Sequence, residues 1–437
     1  MAALNPKSKI VIIGSGVFGI STALWLAKSG YVDVTVLDMQ DTASTAYDPL
    51  SGIDSASADL NKIIRFSYGS EIEYQRLATE AAGLWDEWNR EVAATPTAEL
   101  PERLGEGGKK LWWNSGMLRM SSEDELGDFE IATLENMDRE GIRETQFRTD
   151  DKADIARAKE RGWAHKLDPC RRQERFGTHK AVLDSTAGFV YAYKSCAWAQ
   201  HLASKAGVKM ILNPLRGKVV DITTEENRPV VVTADGSEIS ADLVVVAGGG
   251  WTPSLVPEVQ GLLETTAGSV ANIQIPKDQT GLWNQFAPEN QPVVTWGSRQ
   301  GKDVYSLPRD ENDPVNIHIE FITINFPELV PLGISSTRLC WYTDSIDNSF
   351  VVDFVPGRPG VAVCSGGSGH GFKFLPILGR EVVKILEGKG EQTVYGRMWK
   401  WRSSREAKRN GLEEGERGPR VLLKQKMAEQ EDWRFTV

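Results

Sequence analysis

Residues 9 to 13, KIVII, form a short, mostly apolar run that ends on Gly14, with Gly16 and Gly19 following in the spacing G-x-G-x-x-G. Such a run suits a short strand buried on both faces of a parallel sheet. Gly14 permits a tight turn. Gly16 removes the side chain from the approach of a pyrophosphate, and Gly19 lets the next helix, expected over ISTALWLAKSG, pack closely. The first turn of that helix, with Val17 and Phe18, offers unpaired N–H groups to a phosphate. A second apolar run, VTVLD, closes on Asp38, near the distance at which a carboxylate grips ribose hydroxyls. In a chain with 41 glycines the glycine pattern alone says little. Strand, glycines, helix, strand and acid in that order predict a dinucleotide site.

The rest of this unit lies far along the chain. ADLVVVA at 241–247 reads as a further strand and runs into Gly248, Gly249, Gly250 and Trp251. Just before it, RPVVVTADGSEIS predicts a hairpin turning at Asp235-Gly236, and Val219 is expected beside the cofactor. So wide a separation suits a large flavoprotein with inserted segments better than a compact NAD domain. Residues 76–165 are polar and helix-prone, with a surface loop at 97–110. Strand-like segments at 270–320 predict a second, mixed-sheet domain able to hold a substrate.

Net charge is -10, which disfavours nonspecific nucleic-acid binding, since that needs basic surface. The basic stretches RRQERFGTHK and WKWRSSREAKR read as solvated faces. No stretch approaches the ~20 apolar residues of a membrane span. The start, MAALNPKSK, leads directly into a strand, so no secretory signal is expected. Four cysteines without C-x-x-C spacing and five scattered histidines give no metal motif.

Three further segments are more specific: DLNKIIRFSYG at 59–69, TRLCWYTDSIDNSFVVDFVP at 337–356 and CSGGSGHGFKFLPILG at 364–379. With the N-terminal signature, they resemble the monomeric sarcosine oxidase family of FAD amine oxidases, and within it the fungal fructosyl amino acid oxidases (amadoriases) and saccharopine oxidases. The resemblance implies an α/β fold, an FAD-binding Rossmann-like domain with a second mixed-sheet α+β substrate domain. The FAD-binding part is expected from segments 1–85, 166–255 and 335–395. The substrate part is expected from a helical segment at 86–165 and from 256–334, with a tail at 396–437.

The same resemblance implies roles. Cys340, in RLCWYTD, matches the cysteine that carries the flavin through its 8α-methyl carbon; from the bare sequence it is equally a buried small hydrophobe. Cys364 reads as structural. The loop of Gly366, Gly367, Gly369 and Gly371 lets backbone approach a flat ring, with Phe372 beside it, and a following helix can aim N–H groups at the oxygen that becomes electron-rich on reduction. Lys373 is implied beside the substrate carboxylate, His370 beside flavin or substrate. The Arg65 position carries the carboxylate-gripping arginine of sarcosine oxidase, a task suited to a guanidinium fork. Lys62 stands where the fungal enzymes place a lysine over the flavin. Asn316 falls where a lysine near the flavin commonly helps activate oxygen: either the alignment slips by a few residues there or oxygen reactivity is retuned. Glu320 falls where the fungal enzymes have an acid on the sugar hydroxyls.

The implied activity is oxidation of the C–N bond of a secondary amine by FAD, with re-oxidation by molecular oxygen. A fructosyl amino acid would give glucosone, free amino acid and hydrogen peroxide. Alternatives are another N-alkyl amino acid (saccharopine, a sarcosine-like compound or a secondary-metabolite amine), a flavin dehydrogenase with slow oxygen use, or an FAD-binding structural protein. The ending Phe435, Thr436, Val437 lacks the peroxisomal tripeptide of many relatives, so a cytoplasmic location is expected; the resemblance implies a monomer, and no nucleic-acid or membrane partner is expected.

Overall fold

A computed structural model describes residues 4–53, 55–69, 71–102, 104–105, 108–121, 125–297, 321–403, 429 and 431. Its largest sheet has six strands in the spatial order Val351–Phe354, Val361–Ser365, Leu243–Val246, Lys9–Ile13, Asp33–Asp38, Lys209–Leu212. All neighbours run parallel except the edge strand Val351–Phe354. The first strand therefore lies in the middle. Its successors go to opposite sides, to Asp33–Asp38 on one and Leu243–Val246 on the other, and the crevice left where strand order reverses is where such sheets take a ligand.

Alternation along these strands divides the core. Ile10, Ile12, Val34, Val36, Leu243 and Val245 face a layer of helices. Val11, Ile13, Leu37, Val244 and Val246 face the other way, against Ile222 and Val231 of an antiparallel meander. That meander, Val219–Glu225, Arg228–Thr233 and Glu238–Ser240, contains the expected hairpin, with Thr233 N–H bonded to Ser237 across the Asp235-Gly236 turn. On the helical face, Val17–Lys28 packs against Leu378–Lys384 and Ala192–Lys205. Gly379 permits this: a Cβ there would lie 2.1 Å from the Ser21 carbonyl oxygen.

A second sheet joins Val293–Gly297, Met117–Ser121, Ala181–Asp184 and Gln146–Arg148, with one parallel and two antiparallel pairings. Leu118, Met120, Phe147, Leu183 and Phe326 build its own core. The stretch 76–165 does supply helices, Ile72–Ala94, Asp128–Arg139 and Lys152–Glu160, but it also supplies strands of this sheet. Arg119 hides one of them from a hydrophobicity reading: it is only 4% exposed, its charge met by Glu130 at 2.6 Å and Asp184 at 3.6 Å. Of the segment expected to be strand-rich at 270–320, residues 298–320 lie outside the described residues.

A separate two-stranded ribbon pairs Leu263–Asn272 antiparallel with Ser336–Ser345, which sets Cys340 opposite Gly268. A small sheet of Lys62–Ile64, Gly188–Val190 and Trp112–Trp113 lies in the same region. Gly19 is the tightest point of the first βα turn, because a Cβ there would sit 1.9 Å from the Gly14 carbonyl oxygen. Gly19→Ala must displace helix from strand, and overpacking of this kind costs about 1–3 kcal/mol. We expect a lowered urea midpoint together with loss of bound flavin; an unchanged midpoint in flavin-replete protein would refute the close-packing account.

Candidate active site

One cavity of about 760 Å³ opens at the reversal of strand order. Gly14, Gly16, Val17 and Phe18 line it, as do Asp38, Val219, Gly248, Lys62, Gly369, His370, Gly371, Phe372 and Lys373. Two positions expected at the cofactor, Gly19 and Cys340, stand behind the wall instead. Gly19 is buried against Gly14, and Cys340, on the ribbon itself, is 2% exposed.

The cavity suits an extended dinucleotide. Gly14 takes a left-handed φ of +104°, and a Cβ there would meet the Ala247 carbonyl oxygen at 2.4 Å. The helix that begins at Val17 starts on Gly16, which has no side chain to cap it, and carries no acidic residue in its first turn, so its positive end is open to an anion. Ser57 Oγ accepts from the Val17 N–H at 3.0 Å and fills the space beside Gly16. Asp38 accepts from Ser15 N–H at 2.6 Å, from Ser15 Oγ at 2.9 Å and from Gln40 N–H at 2.8 Å. Two carboxylate oxygens offer about four acceptor sites, which leaves capacity for a ribose hydroxyl. Farther along, Phe18 packs edge-on against Gly367 and Gly371, and a Cβ on Gly371 would touch its ring at 2.9 Å. Backbone can therefore approach a flat ring on that wall. These residues fit FAD.

At the ring end of the cavity two lysine amines are held differently. Lys62 Nζ donates to Asp59 Oδ2 at 2.6 Å and to Cys340 Sγ at 3.1 Å. Arg338, next but one to Cys340 on the ribbon, brings its guanidinium to 3.4 Å from the other Asp59 oxygen. Burial opposes the Lys62 charge, but Cys340, Asp59 and Tyr342 outweigh it and leave the ammonium pKa above its ordinary value. Lys62 is thus a cation with its counter-charge in place.

Lys373 has none in contact among the described residues. It lies in the short turn Phe372–Phe374, 3% exposed, and its Nζ bonds to Tyr68 Oη at 2.8 Å. Tyr68 Oη in turn lies 3.1 Å from His370 Nδ1, and His370 Nε2 lies 2.9 Å from the Asn348 carbonyl oxygen. His370 stacks on Phe350 at 4.8 Å and meets Tyr74 edge-on. Burial, then the charge of Lys373, bring its pKa down to about 3, so the imidazole is neutral at physiological pH. Burial followed by Arg65 likewise drives the Lys373 pKa well below the ordinary range, while Glu71 pulls it back in part. Arg65 itself does not reach the cavity wall. Its guanidinium lies over the Phe129 ring at 4.9 Å and near Tyr68 at 6.0 Å. Asn316 and Glu320 lie outside the described residues.

Tyr68, Asp59 and Tyr342 belong to this site and were not singled out from sequence. Tyr68 and Asp59 stand inside the same DLNKIIRFSYG segment as Lys62 and Arg65. That segment is clamped from outside. Ser67 Oγ donates to Asp184 at 2.8 Å and accepts from Arg119 at 3.3 Å, and Asn136 donates to the Tyr68 carbonyl oxygen at 3.0 Å. The buried arginine of the second sheet thus fixes the tyrosine that holds Lys373.

Among the described residues no helix is long and apolar enough to cross a membrane, and no group of three His, Cys, Asp or Glu side chains could hold a metal ion. Comparison with known proteins agrees with the cavity. Residues 9–385 match the model of the FAD dependent oxidoreductase family. L-saccharopine oxidase of Schizosaccharomyces pombe is 24% identical, with 91% of this chain and 94% of that protein covered. N-methyl-L-tryptophan oxidase of Escherichia coli is also 24% identical, with 88% and 96% covered. Among solved structures, fructosyl peptide oxidase from E. terrenum superposes with a TM-score of 0.70 at 22% identity, covering 92% of this chain and 93% of that one. Fructosamine oxidase (Amadoriase II) from Aspergillus fumigatus gives 0.67 at 22% identity, covering 91% and 90%. With its glycine turn, an acid at the end of the second strand and a match over most of its length, the chain belongs to the FAD-dependent oxidoreductase family.

Proposed function

We propose that the protein oxidises the C–N bond of a secondary amine carried by an amino acid, with a fructosyl amino acid as the substrate. The observation that carries this reading is Lys373: a lysine sealed at the cavity wall, held by one neutral hydroxyl, with Arg65 nearby. A buried cation without a counter-charge is costly, and a substrate carboxylate supplies one. The N-substituent is read from the fructosyl peptide and fructosamine oxidases that share the fold across nine-tenths of both chains. Saccharopine is the second reading, favoured by the saccharopine oxidase likeness over 91% of the chain.

Bound in the cavity, FAD supplies hydride acceptance from the carbon next to nitrogen and passes the electrons to oxygen as hydrogen peroxide. The chain's own residues do the rest. Lys373 anchors the carboxylate, and Arg65 strengthens that anchoring through its field. The substrate nitrogen must be neutral when the C–N bond is oxidised, because an ammonium has no lone pair to share. Cys340 would carry the cofactor through its sulfur, and Lys62, which donates to that sulfur at 3.1 Å, would hold it in place.

Peroxide formation should be measured side by side with fructosyl-glycine, fructosyl-valine, saccharopine and sarcosine, with an artificial electron acceptor in parallel. Turnover of a fructosyl compound above the others supports the first reading, turnover of saccharopine the second, and no turnover of any overturns both. Charge-assisted contacts are worth about 1.5–3 kcal/mol, so Lys373→Met should lower kcat/KM by roughly 10- to 100-fold, mostly through KM. Arg65→Met should cost less, because its guanidinium lies off the wall; equal effects would contradict that placement. In acid-precipitated wild type the yellow colour should stay in the pellet, whereas Cys340→Ala should release it to the supernatant with no flavin adduct in the intact mass. Release from the wild type as well would remove Cys340 from its role.

A further inference from the structure

The hydrogen-bond directions around Lys373 are fixed from one end. The Asn348 carbonyl can only accept, so His370 Nε2 carries the hydrogen. With the imidazole neutral, Nδ1 must accept, and the Tyr68 hydroxyl is its donor. Tyr68 Oη then has only lone pairs to offer, and Lys373 donates to it. One N–H of Lys373 is committed in this way, and the remainder of the amine faces the cavity. Among the described residues no carboxylate comes within the 4.0 Å of an ion pair. The charged and titratable groups facing it are few. Arg65, Tyr68 and Glu71 come from the segment before the helix Ile72–Ala94, Tyr74 from that helix and His370 from the glycine loop. Asp347, which acts on Glu71, is tied to Arg402 at 2.5 Å. The Tyr68 and Tyr74 hydroxyls are pushed above their ordinary range, Tyr74 to about 12, so neither loses its proton near neutrality.

We propose that Lys373 rests as a neutral amine in the unliganded site and takes up one proton when the substrate carboxylate docks, and that with an amino-acid substrate this is the proton the substrate ammonium gives up. The exchange balances without any electron transfer: a secondary ammonium and the Lys373 amine become a secondary amine and the Lys373 ammonium. It yields at once a nitrogen with a free lone pair and a cation for the carboxylate. Tyr68 is the positioning residue, because it turns the acceptor end of Lys373 toward the cavity. The idea rests on the carboxylate reading of the preceding subsection. The direction of the Lys373 shift supports it: once a counter-ion arrives, the main obstacle to protonation is removed.

The test is calorimetry on the oxidised holoenzyme at pH 8, in two buffers of different ionisation enthalpy. One ligand is methoxyacetate, a carboxylate with an ether oxygen in place of the amine; the other is proline, under conditions where the flavin stays oxidised. The flavin absorbance shift reports binding independently of protons. We expect methoxyacetate to bind with uptake of about one proton and proline with about none, because proline brings its own. At lower pH, where the empty-site lysine is already protonated, methoxyacetate uptake should fall toward zero. Lys373→Met should abolish uptake, Glu71→Gln should keep it, and Tyr68→Phe should keep it with about tenfold weaker binding. Methoxyacetate binding without uptake at pH 8, or uptake that survives in Lys373→Met and vanishes in Glu71→Gln, overturns the proposal while leaving the carboxylate reading intact. Failure of both ligands to shift the flavin spectrum overturns that reading and the proposal together.

Discussion

The approach of helix Val17–Lys28 to the end of strand Lys9–Ile13 is the constraint on which the rest depends. Three backbone surfaces meet there, from residues 14, 19 and 247, at distances that leave no room for a Cβ at either glycine. Because they meet, the uncapped helix end, the ribose-side carboxylate of Asp38 and the start of the loop after Leu243–Val246 all face one crevice. Everything inserted between the pieces of this sheet must return to it. The insertions are accordingly anchored on it from several sides: by Ser57 on the Val17 N–H, by Ser21 Oγ on Gly379 N–H and by the Trp25 indole on the Pro376 carbonyl oxygen.

The ring end of the cavity is governed by charge rather than by close packing. Lys62 and Lys373 both border it, and they differ in what surrounds them. Asp59 and the Cys340 sulfur hold Lys62, so its charge is present whether or not a ligand is bound. Lys373 is held by a phenol, with no carboxylate in contact among the described residues. The first arrangement suits a permanent neighbour such as the cofactor. The second suits a visitor that brings a negative charge and leaves again.

Much of the cofactor side was legible in the sequence because its chemistry is local. A buried strand, three glycines and a following helix are consecutive, and Asp38 ends the next strand; backbone geometry converts that order directly into a cavity wall. The expected hairpin at Asp235-Gly236 is likewise a local feature. The second sheet was not legible in the same way. Its strands come from residues 117–121, 146–148, 181–184 and 293–297, and Arg119 interrupts the apolar pattern of the first of them. Nothing in a linear reading shows that Glu130 and Asp184 neutralise that arginine. Tyr68 and Asp59 were missed for a related reason: each takes its meaning from a partner hundreds of residues away, 305 for the Tyr68–Lys373 bond and 281 for the Asp59–Cys340 contact.

Those long separations also explain why the site needs the second sheet for more than enclosing substrate. Tyr68 can hold Lys373 only if its own backbone is held, and the groups that hold it are Asn136 on its carbonyl oxygen and the Arg119–Asp184 pair on Ser67. A buried ion pair adds little net stability compared with apolar packing, but removing one partner leaves an uncompensated charge. Its value here is geometric. It ties a loop that crosses the cavity to a sheet that does not, and a hydroxyl placed in that way selects one orientation of a lysine whose side chain would otherwise have many. The orientation of the amine at the cavity wall is therefore set by an arginine on the far side of the loop, and the second sheet contributes to the chemistry without touching the cofactor cavity.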